Sequence, residues 1–484
     1  MVVCHMKKII AVLSVFSFLA AIFIFVSILW MDKIFDRNLP FAAIVYTASL
    51  PMDNVDPHII NGVKLRLLII FGCLAAYVLI LRQVYRARVK LVFTGLMSVN
   101  FALFAAAVGY VQYQYDVARY VLAPVMTTTL FEDHYRTLTP EEVVFPERKR
   151  NVILLLVESA ENTFNDESIF GEKIMPKLYE LQQQGASFNN LIPSCKDGWT
   201  FGALINYLFG MPVATPLPAN DNGVAKILPG AVSLLEIFEH NGYDIEFALG
   251  SDSSFAGKRM LFNTHLRSPK IYDFPYFKIA DPEGVAARMA SPKYRWGVND
   301  AYLYDWLKNH LTAKDKTEPF FLIALTVNTH PPDGEMEELW NFNRQDSRDV
   351  FAEADVMAHD FVRWVEAQDF AADTTIIVLG DHPFMSGTLG PYDLPETRKR
   401  YVYNAFLNLP EHLEAAGPSR DFASFDLAPT ILESAGATLP DRRFGLGVSL
   451  FAPDLETFFE RFGVDYYNDE IGKTSALYQT FLGR

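Results

Sequence analysis

Three stretches of this chain join a patterned run to residues that can ligate a metal or act as a nucleophile. Thr375-Ile376-Ile377-Val378-Leu379 leads into Gly380-Asp381-His382. Asn151 to Val157 leads into Glu158-Ser159, and Lys196-Asp197-Gly198-Trp199-Thr200 opens a helical pattern. A carboxylate beside an imidazole occurs by chance in loops. Taken together, Glu, Thr, Asp and His can hold one divalent metal around a hydroxyl nucleophile. An oxygen-rich set with one imidazole suits Mn²⁺ or Zn²⁺ and does not choose between them.

Each residue also has an ordinary reading. Thr200 stands at a predicted helix start, where the dipole and free N–H groups favour an alkoxide and an incoming phosphate. It fits a plain N-cap equally. Glu158 ends a run that reads as buried, so its carboxylate needs a partner unless it reaches solvent. His330, in Thr326-Val-Asn-Thr-His330-Pro-Pro, can donate to a phosphate oxygen or protonate a leaving group, or simply occupy a turn. Lys258 and Arg259, after Ser254-Phe-Ala-Gly, can bind phosphate or serve as surface charge. The cysteines are Cys4, Cys73 and Cys195. They leave the soluble part without an internal disulfide, and Cys195 reads as a small buried side chain.

From Asn151 onward, apolar runs alternate with amphipathic stretches, the pattern of an α/β fold with a mainly parallel sheet. The runs predict strands at Val152–Val157, Ile245–Leu249, Phe320–Val327 and Thr375–Leu379, and another near Tyr401–Leu407. Helices are predicted at Pro176–Gln184, Phe201–Phe209, Val232–His240, Asp300–His310 and Asp355–Ala367. The first four strands end in Glu158-Ser159, Gly250-Ser251-Asp252, Asn328-Thr329-His330 and Asp381-His382. Carboxyl ends of neighbouring parallel strands share one edge, so these groups are expected to converge.

The chain has 484 residues, 50% of them hydrophobic, and that excess lies mostly in the first 115. Residues 1–115 therefore read as a membrane region, 116–150 as a juxtamembrane connector and 151–484 as a catalytic domain. Spans are expected at about 9–30, 64–82 and 91–115, each long enough for a hydrocarbon core of ~30 Å at about 1.5 Å per residue. Lys7 and Lys8 before an apolar stretch also suit a signal peptide. However, Ile9–Trp30 exceeds a usual signal core, and no small-x-small site follows before Asp32. Arg82, Arg86, Arg88 and Lys90 form the densest basic loop and, with Lys7 and Lys8, mark the cytoplasmic side. Three crossings then put the catalytic domain outside, in the periplasm of a bacterium, on a multi-pass inner (plasma) membrane protein. The net charge of −15 argues against nucleic acid as a partner.

On several motifs the chain resembles the alkaline-phosphatase/sulfatase superfamily. They are Val157-Glu158-Ser159, Gly198-Trp199-Thr200, Trp296-Gly297-Val-Asn-Asp300, Asn328-Thr-His330-Pro331, Leu379-Gly-Asp-His382, and Asp426-Leu-Ala-Pro429-Thr430 with Gly447-Val-Ser449. The resemblance, over about residues 150–450, is to the membrane-anchored branch with lipoteichoic acid synthase and the periplasmic phosphoglycerol transferases. It is closest to those that modify glucans, on Phe255-Ala-Gly-Lys258, Phe262, His265, Gly202 and Gly210-Met-Pro212.

This resemblance implies an alkaline-phosphatase-like domain, a mainly parallel sheet sandwiched by helices. It implies Glu158, Thr200, Asp381 and His382 as ligands of one divalent metal. Thr200 would be phosphorylated, and His330, Lys258, Arg259 and Trp296 would bind substrate. The implied reaction moves a phosphoglycerol headgroup from phosphatidylglycerol to a glucan or other glycan. The chain departs from lipoteichoic acid synthase where that family's headgroup tryptophan and arginine would fall near Ala256 and Lys258, and in having three spans. Cys195-Lys-Asp-Gly-Trp lacks the proline and arginine of a formylglycine sulfatase. Two alternatives stand beside this reading. One is a phosphoethanolamine transferase acting on lipid A or another glycan, whose relatives are usually disulfide-stapled. The other is a catalytically silent membrane scaffold or sensor.

Overall fold

The computed structural model describes residues 2–35, 57–87, 89–194, 198–214, 226–289, 296–330, 346–396, 399–413 and 419–483, and positions 41, 44, 45, 334, 336, 342 and 344. Arg88, Cys195, Lys196, Asp197 and Pro331, named above, lie outside these residues. Two compact units are present, one ending at Val121 and one running from Leu122 onward.

Among the described residues of the first unit, three helices are long and apolar enough to cross a membrane. They are α1 (Val2–Phe35), α2 (Pro57–Ala87) and α3 (Lys90–Tyr115). The second exceeds its expected bounds because Arg66 and Arg82 sit within the helix and do not end it. A buried polar cluster ties the three together. Asn100 Nδ2 on α3 donates to the Ser14 carbonyl at 2.9 Å and to Ser17 Oγ at 2.7 Å. Ser14 Oγ bonds the Tyr77 hydroxyl of α2, and the Tyr77 ring stacks on Phe18 at 4.0 Å. With little hydrophobic drive between helices in lipid, such bonds and close stacking supply the association.

The second unit is built on a six-stranded sheet. Its strands are β1 (Asn151–Val157), β2 (Asp244–Leu249), β3 (Lys270–Tyr272), β4 (Phe320–Leu325), β5 (Thr374–Gly380) and β6 (Asn404–Leu407), in spatial order β3-β2-β4-β1-β5-β6. All pairings are parallel except β5 with β6. Strands β1, β4 and β5 are buried along their whole length, as a sheet covered on both faces requires. The architecture is the expected one, with helices on a mainly parallel sheet. On one face, Ile153, Leu155 and Val157 share a core with α4 (Pro176–Gln184), and with helices of later sequence. Helix α5 (Thr200–Phe209) is buried except at its first residue and packs against a helix at Leu427–Ser434.

Several boundaries shift for local reasons. The strand expected at Phe320–Val327 stops at Leu325: the Thr326 N–H still donates to the Leu156 carbonyl, but the N–H groups of Val327 and Asn328 turn to a side-chain carboxylate. The helix expected from Val232 begins at Leu234. Ser233 caps it, with Ser233 Oγ accepting from Glu236 N–H at 3.3 Å and Glu236 returning the bond. The helix expected from Asp355 begins at Ser347, capped by Asp346. Short edge strand β3 was not anticipated; three residues give too brief a pattern.

Gly380 ends β5 where chains crowd. A methyl group there would lie 2.0 Å from the Ala160 carbonyl oxygen and 2.8 Å from Val402. Gly380→Ala is expected to destabilise the second unit by about 2–3 kcal/mol, read as a lowered Tm. A variant with wild-type Tm would mean that this strand end yields freely.

Candidate metal centre

Strand register builds this site. Val157 pairs with Gly380 in the parallel β1–β5 ladder, so Glu158 and Asp381 leave the sheet as neighbours. On the other side of β1, Thr326 follows β4. Its hydroxyl accepts the Glu158 N–H at 2.9 Å, while Thr329 Oγ1 donates to the Glu158 carbonyl at 2.5 Å. Ser159 takes a left-handed backbone (φ 56°), costly for a residue with a Cβ. Two bonds hold it there: its N–H donates to Asp381 Oδ1 at 2.8 Å, and its hydroxyl to Glu158 Oε1 at 2.7 Å.

His382 completes the cluster. One ligand atom each from Glu158, Asp381 and His382 lie within 4.8 Å of one another, and all three residues are buried. His382 Nδ1 meets the Pro383 carbonyl at 2.9 Å, which makes it the N–H nitrogen and leaves Nε2 a lone pair. Nε2 lies 3.3 Å from Asp381 Oδ2 and 3.4 Å from Glu158 Oε1. Neither Nε2 nor Asp381 Oδ2 has a hydrogen-bond partner among the described residues. Two carboxylates and an imidazole lone pair facing each other in a buried pocket need positive charge. A divalent cation fits this donor set, and the Nδ1–carbonyl bond is the outer contact that fixes a ligating histidine.

Thr200 opens α5 beside this cluster and donates to Glu158 Oε2 at 3.3 Å. The helix is fixed from within: Tyr207 OH donates to the Gly380 carbonyl at 2.7 Å, one residue before Asp381. The four residues expected to act together therefore meet.

The residues expected at the substrate divide. Lys258 is buried, with Nζ donating to the Phe255 carbonyl at 2.9 Å. Burial pushes its amine down to about 8, against the opposing pull of Glu158, Asp252 and Asp381. It therefore sits within the field of the cluster. The Trp296 ring lies 4.3 Å from the His330 ring and 5.4 Å from Phe255, giving a continuous wall. Arg259 turns elsewhere: its guanidinium pairs with buried Asp273, which also accepts from Ser253 Oγ at 2.6 Å.

Sequence reasoning assigned no task to Asp300. It is buried, and its carboxylate accepts the N–H groups of Val327 at 2.7 Å and Asn328 at 3.1 Å, while Asn328 Oδ1 accepts the Asp300 N–H. These bonds end β4 and lock the loop that carries His330. The Gly250 and Gly297 backbones meet closely beside it: a Cβ on either would fall 2.2 or 2.3 Å from a carbonyl oxygen.

The Sulfatase family profile matches residues 150–437, more than half of the chain. The chain belongs to the sulfatase family. Similar proteins include phosphoglycerol transferase I of Xanthomonas campestris pv. campestris (strain B100). It is 26% identical over 337 residues, which cover 66% of this chain and 46% of that protein. Phosphoglycerol transferase I of Salmonella paratyphi B is 26% identical over 316 residues, 63% of this chain and 39% of that protein. The chain thus spans less than half the length of these curated relatives. Among solved structures, the lipoteichoic acid synthase LtaP of Listeria monocytogenes is 16% identical, with a TM-score of 0.48 over 63% of this chain and 77% of that one. The lipooligosaccharide phosphoethanolamine transferase EptA of Neisseria meningitidis is 13% identical, with a TM-score of 0.46 over 84% and 81%.

Burial, and then the Glu158 charge, raise the Asp381 carboxyl to about 6. Burial alone would lower His382, but Asp381 and Glu158 overcome it and raise the imidazole. Without a cation, Asp381 thus gains a proton on folding between its unfolded value of about 3.9 and about 6, and its stabilising contribution is lost as pH rises through that window. A bound cation favours the ionised form. The Tm gained on adding Mn²⁺ or Zn²⁺ is therefore expected to be small near pH ~5 and to grow as pH passes about 6. A gain independent of pH would show that the cation binds elsewhere.

Proposed function

We propose that this chain is a membrane-anchored, metal-dependent phosphotransferase. In this reading it moves a glycerol phosphate headgroup from phosphatidylglycerol to a glycan hydroxyl, a periplasmic glucan among the candidates, through a phosphothreonine at Thr200. The observation that carries this reading is the bond from Thr200 Oγ1 to Glu158, which puts a hydroxyl at a helix start against a buried cluster built for a cation. The names of the 26%-identical relatives support phosphoglycerol as the group moved.

In the proposed site Glu158, Asp381, His382 and Thr200 hold one Mn²⁺ or Zn²⁺. What such a cation supplies is Lewis-acid charge, which lowers the pKa of a nearby hydroxyl and polarises phosphoryl oxygens. In the first step the Thr200 oxygen bonds to phosphorus and gives up its proton. The bond from phosphorus to the diacylglycerol oxygen breaks, and that oxygen takes up a proton as diacylglycerol leaves. In the second step an acceptor hydroxyl bonds to the same phosphorus, and the Thr200 oxygen departs and regains a proton. The start of α5, with the positive end of its helix dipole, faces the phosphate. Lys258 and His330 donate to its oxygens, with Trp296 as the wall of the headgroup pocket. Arg259, paired with Asp273, is given no contact with the phosphate in this reading.

The proposed organisation is a membrane region over 1–115, a connector over 116–150 and an extracytoplasmic catalytic domain over 151–484. The helices then hold the site close to its lipid donor, which raises the donor's effective concentration.

Mass spectrometry of the purified full-length chain, incubated with Mn²⁺ and mixed phosphatidylglycerol and phosphatidylethanolamine vesicles, tests the assignment. A glycerol phosphate adduct on Thr200 is expected. Thr200→Ala is expected to lose the adduct and to release diacylglycerol more than about 1000-fold more slowly. An ethanolamine phosphate adduct would move the assignment to a phosphoethanolamine transferase. No adduct in metal-loaded protein would leave a silent scaffold.

A further inference from the structure

Behind the cluster lies a buried ion pair that the proposed chemistry does not use. Glu161 and Arg400 are both wholly buried. Arg400 Nε donates to Glu161 Oε2 at 2.9 Å, and Nη2 bonds the other carboxylate oxygen, giving a two-pronged fork. Burying two charges costs several kcal/mol, and such pairs are weak stabilisers, so a buried pair calls for another explanation.

The remaining bonds supply one. Glu161 Oε1 accepts the Phe384 N–H at 2.8 Å. Arg400 donates to the Phe384 carbonyl at 2.5 Å and to the Ser386 carbonyl at 3.2 Å. The pair thus grips both backbone groups of Phe384. The Phe384 N–H belongs to the same planar peptide as the Pro383 carbonyl, and a peptide plane does not twist readily. That carbonyl is the acceptor for His382 Nδ1. Gripping one edge of the plane therefore aims the other at the imidazole. On the far side, Glu161 lies three residues after Glu158, in a β-bridge with Val402.

The geometry points to the Glu161–Arg400 pair as a positioning device. Through the rigid Pro383–Phe384 peptide it fixes the tautomer and direction of the His382 ring, so that Nε2 faces Glu158 and Asp381. This role rests on the reading of that cluster as a metal site. It predicts that the pair governs metal affinity without touching metal or substrate, as outer-shell partners of ligating histidines do. Arg400 is suited to it because a planar fork can hold a carboxylate and backbone carbonyls at once, which a lysine ammonium does poorly.

Two variants of the full-length protein in detergent micelles test this. Arg400→Lys keeps the charge and loses the fork. The double variant Glu161→Leu/Arg400→Met removes both charges at similar volume, a replacement that folded proteins often tolerate. Mn²⁺ affinity is measured by competition with a chromophoric chelator, beside the Tm of the metal-free form. Both variants are expected to bind Mn²⁺ about 10–100-fold more weakly, with phospholipid turnover recovering at saturating Mn²⁺. Either variant, folded and with wild-type Mn²⁺ affinity, overturns the positioning role. Absence of Mn²⁺ and Zn²⁺ binding by the wild type, or full metal stoichiometry in Glu158→Gln, overturns the metal reading instead.

Discussion

The in-register pairing of β1 with β5 brings two carboxylates to adjacent strand ends inside the protein, and the site around them is organised by that charge. Val157 opposite Gly380 makes Glu158 and Asp381 neighbours. Neither is exposed enough for water to solvate it. Burial, and then the neighbouring Glu158 charge, raise the proton affinity of Asp381. The pocket therefore holds either protons or a cation. His382, with one nitrogen spent on a backbone carbonyl and the other turned inward, tips the choice toward a cation.

Keeping such a cluster in place takes strain and crowding nearby. Ser159 stands in a left-handed conformation, fixed by bonds to both carboxylates. Gly380 lets the Ala160 backbone come close behind the β5 end. Asp300 takes the backbone N–H groups that would otherwise continue β4, and so converts a strand into the loop that bears His330. These residues act on the site through the backbone. Their contribution is to hold acceptors and donors within a few tenths of an ångström, on which metal and phosphoryl chemistry depends.

The first unit follows a different logic. In lipid, apolar side chains gain little by leaving their surroundings, so helices meet through close packing and hydrogen bonds. Asn100, Ser14, Ser17 and Tyr77 supply such bonds across all three helices. A polar asparagine inside a 26-residue apolar helix stands out in the sequence, yet its partners do not. They lie in helices far away along the chain, and only the packing brings them to it.

Much of this protein could be read from its residues in order. Periodicity gave the apolar helices, the principal parallel strands and five helices of the second unit, because long patterned runs leave the backbone few choices; others, among them Lys258–His265, Leu427–Ser434 and Phe458–Glu470, were not read from it. Strand-end position marked Glu158, Asp381 and His382, and a helix start marked Thr200, since parallel strands converge at one edge. What tertiary structure decided was the side-chain direction and partnership. Lys258 and Arg259 are adjacent in sequence, yet one is buried in the field of the cluster and the other is turned to Asp273. Glu161 and Arg400 lie 239 positions apart and look like ordinary charges until the segment after β1 and the segment before β6 are laid side by side. The chain order fixes which groups exist and at which strand ends, through local backbone preference. Which of them meet, and which face each other without a partner, depends on long-range packing that no local pattern encodes.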